Sequence, residues 1–137
     1  MKKIILVGLP GGVVMLAAGM ILGPITYLIV PALETEYENM NLFRPWSDPL
    51  MSVFFVQPFI PGIILAWIWS KVSGLFGEKI TWKSGANFGM IYWLVTVPGM
   101  IISYSSFPLS LAMVMSWSVS IFVQAMCSGI LFAKMLK

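Results

Sequence analysis

Four apolar helices, each long enough to cross a bilayer and packed as an up-down all-α bundle, are what this sequence leads to, on three observations. First, residues 84 to 133, between Lys83 and Lys134, are fifty positions without one charged side chain. A single helix of that length would measure about 75 Å, more than twice the ~30 Å hydrocarbon core of a bilayer. The chain must therefore turn back inside it, and Ser105-Ser106-Phe107-Pro108 is the natural place. Second, two further charge-free stretches precede it, Ile4 to Leu33 and Pro49 to Ser70. Third, a chain of 137 residues that is 59% hydrophobic and 9% charged, with a mean hydropathy of +0.94, carries more apolar surface than a water-soluble fold of its size can cover. The whole chain, 1 to 137, reads as one integral membrane domain.

The first span is expected over residues 4 to 30. Met1-Lys2-Lys3 before an apolar run resembles the start of a signal peptide. The run is too long for that and lacks a small-x-small cleavage site, so a retained helix is expected. A loop over residues 31 to 45 follows, with Glu34 to Glu38 forming a short surface helix. The second span, 46 to 71, opens on Ser47-Asp48-Pro49, a capping side chain followed by a proline in the first turn. A loop with Gly74 and Gly77 leads to the third span, 83 to 104, and the fourth runs from 108 to 134. Trp46, Tyr104 and Phe107 then fall at one membrane interface and Trp67, Trp69 and Trp82 at the other, as aromatic belts require.

The distribution of charge sets the orientation. Lys2, Lys3, Lys71, Lys79, Lys83, Lys134 and Lys137 fall on one side with Glu78, net +6; Glu34, Glu36, Glu38 and Asp48 fall on the other with Arg44, net −3. The positive-inside rule then puts both termini in the cytoplasm and the 31–45 loop outside, in a membrane of the bacterial inner type. The overall charge of +3 is accordingly no nucleic-acid footprint.

A shift of 77 residues superposes Gly8 on Gly85, Gly12 on Gly89, Tyr27 on Tyr104 and Pro31 on Pro108. This is either a weak parallel 2+2 repeat of two hairpins or chance, since glycine and proline are common in membrane helices. On the first span Gly8, Gly12, Gly19 and Gly23 share one side, where another backbone could approach closely. Gly85, Gly89 and Gly99 on the third span, and Ala112, Ser116, Ser120, Gln124 and Ser128 on the fourth, make comparable small or polar ridges. These faces suit packing within the bundle, an oligomer interface or a pore lining.

Gln57-Pro58-Phe59-Ile60-Pro61-Gly62 interrupts the second span. Pro58 cannot bond the carbonyl of Phe54, nor Pro61 that of Gln57, so acceptors are freed beside the Gln57 amide. Pro24 and Pro98 should likewise free the carbonyls of Met20 and Leu94. Such a break is either a ligand site or a plain kink. A candidate pocket at this depth combines Tyr27, Gln57 and Ser103 under a lid of Arg44, Trp46 and Asp48, with Arg44 and Asp48 placed to form an ion pair. Gln124 is expected deeper, outside that pocket.

The absences narrow the chemistry. The sequence has no histidine, so imidazole bases, Ser-His-Asp arrangements and histidine-ligated haem are excluded. No Asp, Glu, Lys or Arg falls inside a span, which removes the usual proton relay. A single Cys127, expected to be a small buried side chain, cannot build a metal cage. The eleven methionines lack regular ligand spacing and read as core filler. No cofactor, metal or catalytic residue is expected. The leading expectation is a non-enzymatic membrane protein acting through helix association, as a homo-oligomer or with other membrane subunits. The alternative is a passive carrier or channel for a small or lipid-like molecule, using the break around Gln57 to Gly62.

Overall fold

The computed structural model describes residues 1–39, 41–77 and 79–136; Met40, Glu78 and Lys137, two of which enter the charge count above, lie outside the described residues. Among the described residues the structure is helical, with no strand. Helix α1 (Lys2–Ile29) is continuous through Pro10 and Pro24. A short helix α2 (Ala32–Tyr37) follows where Glu34 to Glu38 is expected to be helical. Pro49–Phe76 is built from a 3₁₀ turn (Pro49–Ser52), α3 (Val53–Val56), α4 (Phe59–Val72) and a second 3₁₀ turn (Ser73–Phe76). Helices α5 (Trp82–Ser106) and α6 (Leu111–Met135) complete the chain. Four segments, Lys2–Ile29, Pro49–Phe76, Trp82–Ser106 and Leu111–Met135, are long and apolar enough to cross a membrane.

Their ends are written locally. The Asp48 carboxylate accepts from the Leu50 N–H at 2.9 Å, with Pro49 in the first turn. The N–H of Thr81 donates to Ser84 Oγ at 3.2 Å where α5 begins. Ser110 caps α6 by accepting from the Met113 N–H at 3.1 Å. The break in the second segment differs from expectation. Gln57 and Pro58 keep right-handed helical dihedrals, and the Gln57 carbonyl accepts from the Ile60 N–H at 3.1 Å. A tightened turn thus recovers the acceptor that Pro61 strands.

The helices pack as two antiparallel hairpins. In one, α1 lies on α4: a Cβ at Gly8 would sit 2.6 Å from the Ile63 Cα, and one at Gly12 2.7 Å from the Phe59 Cα. In the other, α5 lies on α6, where a Cβ at Gly85 would overlap the Gly129 carbonyl and one at Gly89 the Ala125 carbonyl. The residues matched by the 77-residue shift, Gly8 with Gly85 and Gly12 with Gly89, thus make matching backbone contacts. Contact of α1 with α6 joins the hairpins, with the Phe132 ring against Gly11. Gly19 faces the Gln124 amide, with its Cβ position 3.1 Å from Nε2. Gly23 is a correction: nothing lies within 4 Å of its Cβ position, so it packs against no helix of this chain.

Burial concentrates at the end that carries the lysines. Val7, Met15, Leu65, Ala66, Trp69, Phe88, Phe132 and Ala133 form the core there, with Trp69, Phe76 and Phe88 stacked at ring separations of 5.3 to 6.3 Å. Among the described residues, Leu33, Met113 and Val114 are the hydrophobic side chains buried toward the opposite end, and no residue from 115 to 124 is buried. Cys127 also departs from expectation: it is exposed on the outer face of α6, because Ser128 and Gly129 take the inward positions beside it.

The glycine contacts give a direct test. Gly89→Ala should destabilise the protein by about 1–3 kcal/mol, since backbone atoms must move to admit the methyl group. Gly23→Ala and Gly99→Ala, which meet open space, should be neutral or gain up to about 1 kcal/mol from helix propensity. Unfolding in mixed micelles followed by circular dichroism reads the difference.

Candidate functional site

Between the lysine-end core and the acidic loop the four long segments leave space, and the loop roofs it. Helix α2 organises that roof. At ~100° per residue, Glu34, Tyr37 and Glu38 share one face of its short turn and Glu36 points the other way. The Glu36 carboxylate accepts from the backbone N–H of Ser110 at 2.8 Å and from its hydroxyl at 2.6 Å. A carboxylate is favoured at that position, the positive end of the α6 dipole. On the other face the indole N–H of Trp117 donates to the Tyr37 hydroxyl. Tyr37 also meets Tyr27 edge-on at 5.8 Å and Phe43 at 5.2 Å, and Phe43 meets Trp117 at 6.3 Å. Burial raises the Tyr37 phenol pKa above its ordinary value, against the opposing effect of the Trp117 bond, so the hydroxyl stays neutral.

At the loop's far end Arg44 Nη1 donates to the Asp48 carboxylate at 2.8 Å. The Leu50 N–H first, and Arg44 second, hold the Asp48 carboxyl below the usual carboxylate range. The pair is fixed within the loop by a four-residue spacing, and Arg44 keeps most of its side chain in the open.

Two cavities lie beneath and beside this roof. The inner one, about 330 Å³, is bounded by all four long segments: Met15 from α1, Gln57 and Pro61 from the interrupted segment, Tyr92 from α5, and Ser120 and Gln124 from α6. The outer one, about 640 Å³, is walled by Tyr27, Tyr37, Phe43, Trp46, Phe54 and Trp117, with Glu34, Glu38 and Arg44 at its edge. Trp117 belongs to both and stands between them. Both volumes fall in the ~300–1,000 Å³ range of small-molecule sites.

The single pocket expected from the sequence is therefore divided. Tyr27 and Arg44 belong to the outer cavity and Gln57 to the inner one. Asp48 serves Arg44 and the first turn after it. Ser103 belongs to neither cavity, because its hydroxyl donates back to the Gly99 carbonyl one turn earlier, at 2.9 Å. Gln124, expected too deep, faces the inner cavity together with Gln57, and its amide N–H donates to Ser120 Oγ at 3.0 Å. Ser116 instead donates to the Met113 carbonyl at 2.7 Å. Among the described residues the Gln57 side chain has no hydrogen-bond partner within the protein, though it is exposed on the cavity wall. No group of three acidic, cysteine or histidine side chains among the described residues is placed to hold a metal ion.

The sequence did not disclose Trp117, Tyr37, Tyr92 or the Glu36–Ser110 link. Ser110 before an apolar run is a readable capping signal. Its engagement by a glutamate 74 residues earlier is a tertiary fact that no local pattern carries.

Glu36→Ala should release α2 from α6, lowering stability by about 1 kcal/mol, and should raise acrylamide quenching of tryptophan fluorescence as Trp117 loses its cover. Glu38→Ala should leave both unchanged.

Comparison with protein-family models, curated proteins and solved structures finds no match to this chain.

Proposed function

We propose that the chain is an integral membrane protein crossing the bilayer four times, which works without catalysis by holding or passing a small amphiphilic molecule in the space between its helices. Spanning is supported by length: 25 residues of α-helix reach about 37 Å, enough for the ~30 Å apolar core. Orientation is supported by charge, with Lys2, Lys3, Lys71, Lys79, Lys83 and Lys134 at one end and Glu34, Glu36, Glu38 and Asp48 at the other. Both termini then face the cytoplasm and the roofed end faces outward.

One observation carries the role. Two glutamine amides from different helices, Gln57 and Gln124, face one cavity to which every long segment contributes. An amide left without a partner in an apolar setting costs on the order of 1–3 kcal/mol, so an unbonded Gln57 beside open volume marks a place for a polar group of a ligand or for water. The cavity also lies between the two matched hairpins, as expected if they are a parallel repeat with its site at the repeat interface. A second reading, association with another copy or another membrane subunit, draws on Gly23 and Gly99, which leave room for a foreign helix. Gly8, Gly12, Gly85 and Gly89 do not contribute to it, since their close contacts lie within the chain.

Two measurements test this. In a Cys127→Ser background, Thr35→Cys should react with an impermeant thiol reagent from outside intact cells, and Lys79→Cys only after permeabilisation; same-side labelling would refute the topology. An ω-bromodecyl alcohol should quench tryptophan fluorescence saturably in neutral maltoside micelles. The double variant Gln57→Leu, Gln124→Leu should melt like the parent yet bind that alcohol about tenfold more weakly, the value of one lost hydrogen bond. Lost stability with unchanged binding would make the amides structural.

A further inference from the structure

The outer cavity carries a charge and ring pattern that selects one class of ligand. Six aromatic side chains line it beside Pro45 and Met51: Tyr27 from α1, Tyr37 from α2, Phe43 and Trp46 from the loop, Phe54 from α3 and Trp117 from α6. Aromatic faces present negative charge density, and a cation held against them without its full water shell gains from each. Two carboxylates, Glu34 and Glu38, stand one helical turn apart at the same cavity. Neither carboxylate has a side-chain hydrogen bond among the described residues; the neighbour that does, Glu36, faces away and is engaged by Ser110. The cationic group at the edge, Arg44, is paired with Asp48 at 2.8 Å. With that pair neutral, Glu34 and Glu38 leave the cavity at −2.

Each alternative fits less well. An anion would meet both glutamates and find Arg44 already engaged. A neutral molecule would make no use of the carboxylates. A bare metal cation needs a shell of several oxygen ligands, and no triad of suitable side chains is close enough here among the described residues. A volume of about 640 Å³ suits a large, weakly hydrated organic ion.

We infer that the outer cavity binds an alkyl-substituted ammonium ion, its charged head against the aromatic walls and within reach of Glu34 and Glu38. Resting on the amphiphile-binding role proposed above, this assigns that amphiphile a positive head. Trp117, shared by both cavities, then lies beside the bound ion, and an apolar tail can extend past it toward Gln57 and Gln124.

The test uses three probes with one tail: ω-bromodecyl trimethylammonium, the ω-bromodecyl alcohol and ω-bromodecyl sulfate. Each is titrated against the full chain in neutral maltoside micelles, with tryptophan quenching as the readout. The ammonium probe should bind about tenfold more tightly than the alcohol, and the sulfate should bind most weakly. Glu34→Gln combined with Glu38→Gln should reduce the preference for the ammonium to the few-fold that the aromatic walls supply, while leaving alcohol binding unchanged. Trp46→Leu, at an exposed wall position, should weaken the ammonium about two- to fivefold without altering the melting profile. Dihexanoylphosphatidylcholine as competitor separates two sources of the same chemistry: displacement assigns the ammonium to a lipid headgroup, and no displacement assigns it to a free cation. Equal binding of ammonium and alcohol, or a preference undiminished in the double glutamine variant, overturns the inference while leaving the amphiphile-binding role standing. Failure of all three probes to bind saturably overturns both.

Discussion

The structure depends on how side-chain size changes along the seam between α5 and α6. Gly85, Gly89 and Trp93 follow one another at four-residue intervals and so lie on one stripe of α5. At Gly85 and Gly89 nothing separates the two backbones, and any added atom would strike a carbonyl of α6. At Trp93 the largest side chain occupies the seam, its indole N–H donating to both the Ser118 carbonyl and hydroxyl at 3.1 and 3.0 Å, with Phe122 edge-on at 5.3 Å. The α1–α4 pair repeats the close end through Gly8, Gly12 and Gly62. In lipid no hydrophobic drive holds helices together, so tight packing must do it. In this chain such tight packing lies at the lysine end, and bulk at the other end sets the helices around a void.

Polar groups follow the same division. Most hydroxyls in the long segments bond the carbonyl three or four residues back, as Thr26, Ser70, Thr96, Ser103 and Ser128 do. That occupies the O–H donor of each where it stands and leaves only oxygen lone pairs for a ligand. Glutamine is long enough to leave its own helix, and Gln57 and Gln124 both turn toward the inner cavity. The roof is held from two directions, by Glu36 on Ser110 and by Tyr37 on Trp117. Its aromatic face is consequently fixed over the outer cavity rather than free in the loop.

Much of this was legible in the sequence because it depends on local or one-dimensional signals. The charge-free stretches mark the long apolar helices, Asp48-Pro49 marks a helix start, and the spacing of Arg44 and Asp48 marks their ion pair. The glycine spacing on α1 identifies Gly8 and Gly12 as contacts. What stayed hidden was facing. In these helices apolar side chains lie on every side, so the periodicity that tells core from solvent in a soluble protein is missing. Hence Gly23, on the same stripe as Gly12, proved unpacked, Cys127 turned outward, and Gln124 joined Gln57. Depth was misjudged for a related reason. Gln57 lines the inner cavity with Met15 and Gln124 instead of sharing a level with Tyr27, because the faces along which the helices meet set its depth and the one-dimensional pattern does not.

Water access to α6 distinguishes a bundle sealed at one end and hollow toward the other from one packed along its whole length. In the Cys127→Ser background, Ser120→Cys and Ser128→Cys are compared for reaction with a water-borne methanethiosulfonate reagent applied from the acidic-loop side. Ser120 lies on the inner cavity, whereas Ser128, two turns further along, is fully buried with its hydroxyl on the Gln124 carbonyl. Ser120→Cys should react and Ser128→Cys should not. Equal reaction at both positions, or reaction at Ser128→Cys alone, would contradict that arrangement.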